Sequence, residues 1–167
     1  MVDKLEDKIN KNRCKGTTKM KIIPYKDKYR DDLIFMILEA KNVLGRVPGL
    51  NEDLLDIQKN YMDKGGMFWL ATDEHDRVIG SVGVSIIENE SECYIHRLFV
   101  KYNQKHRGIG TELLSTAEDY AIKKGKVATI VHLGKSKEQW FEAWAFYPKH
   151  GYVEIEDNIM RKELKKL

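Results

Sequence analysis

Lys101–Leu114 reads KYNQKHRGIGTELL. Basic or potentially basic side chains at Lys101, Lys105, His106 and Arg107, with glycines at 108 and 110, stand directly before a segment of helical apolar spacing. A glycine-rich turn from a strand into a helix leaves the first N–H groups of that helix unpaired, and the dipole adds positive potential there. Such a junction is suited to an anion, and phosphate is the natural guest. A dinucleotide fingerprint, G-x-G-x-x-G, fails because Leu113 stands at the third glycine and no acidic residue ends the next strand. A Walker A loop fails in spacing and lacks its lysine.

The rest of the chain bounds what such a loop can belong to. With 167 residues, 42% of them hydrophobic, one core of ordinary size is expected. Basic and acidic residues number 29 and 26, so a net charge of +3 gives no general case for nucleic acid. Cys14 and Cys93 lie far apart, which argues against a disulfide framework or a cysteine-based zinc site and fits a reducing cytoplasm. No His, Cys or carboxylate set has a recognised ligand spacing, so no metal is expected. The first ten residues lack the apolar run of a signal peptide, and no window approaches the ~18 apolar residues of a membrane span. A cytoplasmic protein is the expectation.

Residues 1–19 are dominated by Lys, Asp, Glu and Asn and read as a mobile, charged extension, with a single domain from 20 to 167. Within the domain, "MKIIPY" reads as a short strand that Pro24 closes or places at an edge. Asp31 to Leu44 reads as a buried helix, with Leu33, Phe35, Met36, Ile37, Leu38 and Ala40 covering more than one stripe. A second helix is expected from an N-cap at Asn51, with Leu54, Ile57 and Tyr61 at core spacing and glycines 65 and 66 ending it. "MFWLATD", "RVIGSVGVSII" and "CYIHRLFV" form an antiparallel meander. A helix from Ile109 to Lys124, a strand "VATIVHL", a helix from Lys137 to Lys149 and two short strands around "EDN" complete the pattern. Ser136 and Gln139 suggest a capping box for the last helix.

The loop resembles the acyl-coenzyme A binding loop of the GNAT family N-acetyltransferases, R/Q-x-x-G-x-G/A, with Lys105, His106, Arg107, Gly108, Ile109 and Gly110 in order. Lys105 takes the place of Arg or Gln. "AWAFYPKHGY", Ala143 to Tyr152, is similar to a second family segment, A-x-x-x-Y-x-x-x-G-[FY], with Trp140 where an Asn is frequent. The order of elements from Met20 to Leu164 follows the family as well. The resemblance implies an α/β fold, a mixed and mostly antiparallel sheet with helices on both faces, and transfer of an acetyl group from acetyl-coenzyme A to a primary amine.

It also implies roles for particular residues. The loop from Lys105 to Thr111 would hold the pyrophosphate, and the backbone of Leu98, Phe99 and Val100 would pair with the pantetheine arm. Tyr147 would protonate the departing thiolate, which suits a phenol of pKa ~10 beside a thiol of pKa ~8.5. Some family members carry a glutamate base where this chain has Tyr94, which leaves His96, Glu92 or a water chain to take the amine proton. His96 and His132 read equally as satisfied core histidines, and His75, His106 and His150 as exposed ones. Trp140 and Trp144 read as core packing. The acidic turn Glu88–Glu92 reads as a solvated hairpin tip.

The acceptor is not named by the sequence, and dimerisation, common in such proteins, is neither required nor excluded. A non-catalytic acyl-coenzyme A sensor of the same fold is the rival reading. A specific nucleic-acid site is not expected, because acids are interleaved with the bases of the extension and aromatics are missing from it.

Overall fold

A computed structural model describes residues 19–47 and 49–165. The expected extension falls almost wholly outside the described residues. The elements run β1 (Lys21–Pro24), α1 (Arg30–Val43), α2 (Ile57–Asn60), β2 (Met67–Thr72), β3 (Val78–Ile86), β4 (Glu92–Val100), α3 (Ile109–Lys123), β5 (Ala128–His132), α4 (Phe141–Lys149), β6 (Val153–Glu156) and β7 (Ile159–Glu163). Among the described residues the strands form one seven-stranded sheet in the order β1-β2-β3-β4-β5-β7-β6. Neighbours are antiparallel except β4 and β5, which are parallel and joined through α3. Pro24 ends β1 on the sheet edge, where a missing N–H removes no central ladder bond.

β2 shows why helices must cover both faces. Phe68 and Leu70 point into a cluster with Leu33, Met36 and Ile37 of α1 and with Leu54, Ile57 and Tyr61. Trp69 and Ala71, one residue out of phase, join Leu113, Leu114, Ala117 and Ala121 of α3 on the opposite face. Complete burial of one such aliphatic side chain contributes about 1.5–3 kcal/mol. On the α3 side the helix comes close to the sheet at Gly80, where a Cβ would lie 2.8 Å from a Leu113 methyl. That approach sets the position of the helix start, and with it the glycine turn at Gly108.

Three local expectations are corrected. In α1 the buried residues are Leu33, Met36, Ile37 and Ala40, whereas Phe35 is 64% exposed, because the helix rests on one face of the sheet and only a single stripe meets it. The helix expected from Asn51 is broken: short 3-10 turns at Glu52–Leu55 and Met62–Lys64 flank the four residues of α2. Asp56 interrupts it in a non-helical conformation (φ −145°, ψ 78°), and its carboxylate accepts from the Lys59 N–H at 3.0 Å to start α2 afresh. The Asn51 amide oxygen serves Lys41 instead of a cap, although Leu54, Ile57 and Tyr61 are buried as their spacing predicts.

At the last helix the capping box does not form. Ser136 has a left-handed backbone (φ 75°), its hydroxyl donates to Glu138 at 2.8 Å, and regular helix starts only at Phe141. The α3 boundaries, the meander and the final hairpin around Asp157 and Asn158 agree with the sequence reading to within a residue or two.

Candidate active site

The sheet splits in its middle. Parallel pairing of β4 with β5 runs from Glu92–Ala128 to Ile95–Val131 and stops there. Beyond it β4 stays with β3 as far as Val100, while β5 stays with β7 as far as His132. The divergence coincides with a bulge: the β3–β4 register shifts between Ser81 and Gly83, and Arg97 takes a left-handed φ of 53°. The Ser81 hydroxyl fastens the bulge by donating to the Arg97 carbonyl at 2.7 Å. Strain of this kind in a non-glycine residue persists where surrounding contacts fix it.

Asp53 supplies the other contact. Arg97 donates to its carboxylate through Nε at 3.0 Å and Nη2 at 2.7 Å, and the Tyr61 hydroxyl donates at 2.5 Å. Burial alone would raise the Asp53 pKa, but the hydrogen bonds from Arg97 and Tyr61 outweigh it and hold the carboxyl below its ordinary range.

Between the diverging strands opens a cleft of about 580 Å³. Leu98, Phe99 and Val100 line one wall, and Val131, His132 and Leu133 the other. Lys105, His106, Gly108, Ile109, Gly110 and Thr111 line it where α3 begins. Gly108 is left-handed (φ 82°), a conformation that costs an L-residue roughly 1–2 kcal/mol, and the first bond into the helix runs from the Glu112 N–H to the Gly108 carbonyl at 3.0 Å. The N–H groups of Ile109, Gly110 and Thr111 therefore precede the ladder and have no intrahelical acceptor. Gly110 is under no such constraint, since a Cβ there would make ordinary contact with the Phe146 ring at 3.4 Å.

The side chains around the loop are engaged with α4. Lys105 pairs with Glu142, and a phosphate would have to exchange with that partner. The Thr111 hydroxyl lies 3.0 Å from His150 Nε2, while His150 Nδ1 donates to the Phe146 carbonyl at 2.9 Å. His150 is thus half-buried and tied to the loop, not simply exposed as its place at a helix end suggests. Arg107 donates to the Gln104 side chain at 3.1 Å and is absent from the cleft wall.

Tyr147 is buried and lines the cleft. Its hydroxyl has no hydrogen-bond partner among the described residues, and burial pushes its pKa well above that of an ordinary phenol. The ring is fixed by edge contacts with Phe146 and Tyr152, at centroid distances of 5.3 and 5.1 Å.

Of the groups considered for the amine proton, Glu92 is bound to Arg161 at 2.6 Å and lies outside the cleft lining. His96 does line the cleft, with Nε2 2.7 Å from the Ser85 hydroxyl. Burial first, and Arg97 second, push its pKa down to about 4, so the ring is neutral near pH 7. His132 is exposed on the facing wall, with the Tyr94 ring edge-on to it at 5.7 Å.

Arg46, which has no signal in the sequence, and Trp140, expected in the core, complete the cleft. Arg46, on the loop after α1, reaches to the β5–α4 segment, where its Nε donates to the Gln139 carbonyl at 3.1 Å and its guanidinium carbon stands 3.7 Å from the centre of the Trp140 ring. Trp140 is consequently no core residue; it lies on Gly134 so closely that a Cβ there would come within 1.8 Å of the indole. Trp144 does pack against the core, although its Nε1 is left unpaired. Nothing in "GRVPG" distinguishes Arg46 from a solvated loop arginine; its partner is 93 positions away.

No group of three or more His, Cys, Asp or Glu among the described residues is placed to hold a metal ion, and no described helix is long and apolar enough to cross a membrane.

A mixed, mostly antiparallel sheet with helices on both faces is the architecture that the resemblance implies, and comparison with known proteins agrees. The sequence profile of the acetyltransferase (GNAT) family matches residues 29–152, and the chain belongs to that family. Among curated proteins it is similar to the probable N-acetyltransferase camello of Xenopus tropicalis, 33% identical over 78 residues that make up 46% of this chain and 35% of that protein. The protein of the same name from Xenopus laevis is 38% identical over 77 residues, 44% of this chain and 34% of the relative, so the matched segment spans about a third of these curated relatives.

In three dimensions the fold is that of a GNAT-family acetyltransferase from Staphylococcus aureus Mu50, with a TM-score of 0.78 at 24% identity over 87% of this chain and 99% of the other. The PaiA N-acetyltransferase of Thermoplasma acidophilum, solved in complex with coenzyme A, has a TM-score of 0.68 at 22% identity, covering 86% and 98% of the two chains.

Proposed function

We propose that the chain is an N-acetyltransferase that moves an acetyl group directly from acetyl-coenzyme A to a primary amine. The observation that carries this reading is the opening between β4 and β5, flanked by strand backbone released from the β4–β5 ladder and ending at the unpaired N–H groups of α3. An extended arm bearing amides and closed by a pyrophosphate matches both parts. The backbone of Leu98, Phe99 and Val100 pairs with that arm, and the amides of Ile109, Gly110 and Thr111 receive the pyrophosphate. Lys105, His106 and Arg107 add positive charge, and Gly108 supplies the turn. The Thermoplasma protein, which shares this fold, was solved in complex with coenzyme A, and this supports coenzyme A as the ligand here.

In the reaction the neutral amine nitrogen attacks the thioester carbonyl carbon. A C–N bond forms, and the C–S bond breaks with its electron pair on sulfur. Tyr147 passes its phenolic proton to that sulfur and is reprotonated by solvent, which also takes the surplus proton of the nitrogen. Burial keeps the phenol protonated through the neutral range, as this role needs. A tyrosine buried in the cleft wall, with a hydroxyl that no described residue engages, favours catalysis over a sensor that only binds.

The test is thermal unfolding with and without saturating acetyl-coenzyme A, with ATP and NAD as controls. Ligand at 100 times its Kd adds about 2.7 kcal/mol, or roughly 5 to 11 °C for a chain of this size. A shift specific to the coenzyme A ligand is expected. No shift, or the same shift with ATP, removes the assignment.

A further inference from the structure

The acids in and beside the cleft are already committed. Glu142, the one carboxylate on the lining among the described residues, is paired with Lys105, and Asp53 is held by Arg97 and Tyr61. Arg46 differs from Arg97 and Lys105. It stacks on Trp140 and donates to a backbone carbonyl, but it forms no ion pair among the described residues. A half-buried guanidinium that surrenders hydration without an anion in return is costly. Burial accordingly draws its pKa down, and attraction to Glu142, which is committed elsewhere, opposes this only in part. The contact with Trp140 and the bond from Nε to the Gln139 carbonyl hold the guanidinium in place, and its Nη donors are left for a planar anion that can accept two of them.

We propose, on the footing of the acetyltransferase reading above, that the acceptor is a primary amine that also carries a carboxylate, such as a free α-amino acid, and that Arg46 holds that carboxylate. Arg46 lines the cleft together with Leu44 before it and Arg97 at the bulge, in the space that an acceptor has to enter. With the pyrophosphate at Gly108–Thr111 and the arm along Leu98–Val100, the acyl group lies toward the bulge at Arg97. Lys41, at the end of α1 with its ammonium bound to the Gly49 carbonyl at 2.9 Å, lies outside the cleft lining but within reach of both guanidinium charges. Burial and then the charges of Arg97 and Arg46 lower its pKa, against a weaker opposing pull from Asp53.

The unpaired charge of Arg46 on the cleft lining drives an acceptor ammonium beside it toward its neutral, nucleophilic form, which lessens the need for a carboxylate base where Tyr94 stands. A second cation on the acceptor, as in a polyamine, is repelled. A carboxylate is attracted, and pairing with Arg46 aims the amine at the thioester.

The experiment compares kcat/KM for matched acceptors: leucine against isopentylamine, phenylalanine against phenethylamine, and spermidine as a purely cationic acceptor. The carboxylated member of each pair is expected to lead by about tenfold or more, the scale of one charge-assisted contact. Arg46→Ala should collapse that ratio and Arg46→Lys should restore part of it, while the Kd for acetyl-coenzyme A, titrated on the same samples, stays the same.

Equal or faster acetylation of the plain amines, or spermidine as the best acceptor, overturns the inference. So does an Arg46→Ala protein that loses acetyl-coenzyme A affinity but keeps the acceptor ratio, which would assign Arg46 to the phosphates of the cofactor. If Arg46→Ala fails to fold, the wild-type panel and Arg46→Lys decide. Protection by acetyl-coenzyme A without turnover of any carboxylated amine sinks the inference and leaves the cofactor reading standing. Absence of protection removes both.

Discussion

The anion loop and the Arg46–Trp140 contact belong to one cleft but are built by opposite means. The loop is made from consecutive residues, and its working parts are backbone N–H groups, a left-handed glycine and a helix start, all of which follow from local sequence. The contact joins side chains from two loops that meet only because α1 and α4 are both docked on the sheet. A site made of backbone should tolerate exchange of its side chains, Lys105 included. A site made of side chains depends on which residues are present, and should therefore differ between relatives in what it selects.

The largest expected effect tests whether the chemistry sits with either part. Tyr147→Phe removes only the proton donor, so the rate of acetylation should fall on the order of 10²- to 10⁴-fold with acetyl-coenzyme A affinity nearly unchanged. Equal rates for the two proteins in a coenzyme A release assay would take Tyr147 out of the mechanism.

A smaller effect separates the two glycines of the loop. Gly108→Ala forces a Cβ into a left-handed backbone and should cost about 1–2 kcal/mol of stability as well as cofactor affinity. Gly110→Ala, inside the helix and with ordinary room beside Phe146, should leave stability unchanged or raise it by up to about 1 kcal/mol, yet weaken acetyl-coenzyme A binding. Denaturant melts with parallel ligand titration check both. Identical behaviour of the two variants would contradict a backbone cradle at this turn.

The smallest effect is a slope. His96 has a folded pKa of about 4 against ~6.5 in an unfolded chain, so the unfolded state binds the extra proton first. Stability that is complete above pH ~6.5 should drain away as the pH falls toward 4, and level off below it as far as this group is concerned. Melting temperatures across that window should show the slope in the native protein and a flatter one in His96→Gln. A histidine NMR resonance titrating near 6.5 and assigned to His96 would contradict the buried neutral ring.

Much of the fold was legible because period and punctuation act locally. "MFWLATD", "RVIGSVGVSII" and "CYIHRLFV" are strands in the structure, and Gly125 follows the end of α3 in a left-handed conformation, as a helix stop should. Failures occur where a side chain has a rival partner or no surface to meet. Asn51 gives its side chain to Lys41 instead of a helix, and Ser136 gives its hydroxyl to Glu138. Phe35 fits the apolar run of α1 but meets no partner, since the sheet reaches only one side of that helix.

By itself the sequence determined the order of elements, the glycine turn into α3 and the family, because strand alternation, helical spacing and a left-handed glycine are properties of neighbouring residues. Only the tertiary structure decided what shares the cleft. It put Glu142 on Lys105 and Glu92 on Arg161, drew His150 to Thr111, opened the sheet at Arg97, and brought Arg46 onto Trp140. Each of these joins residues distant in the chain, and a side chain finds such a partner only after packing of the helices on both faces has fixed where every segment lies.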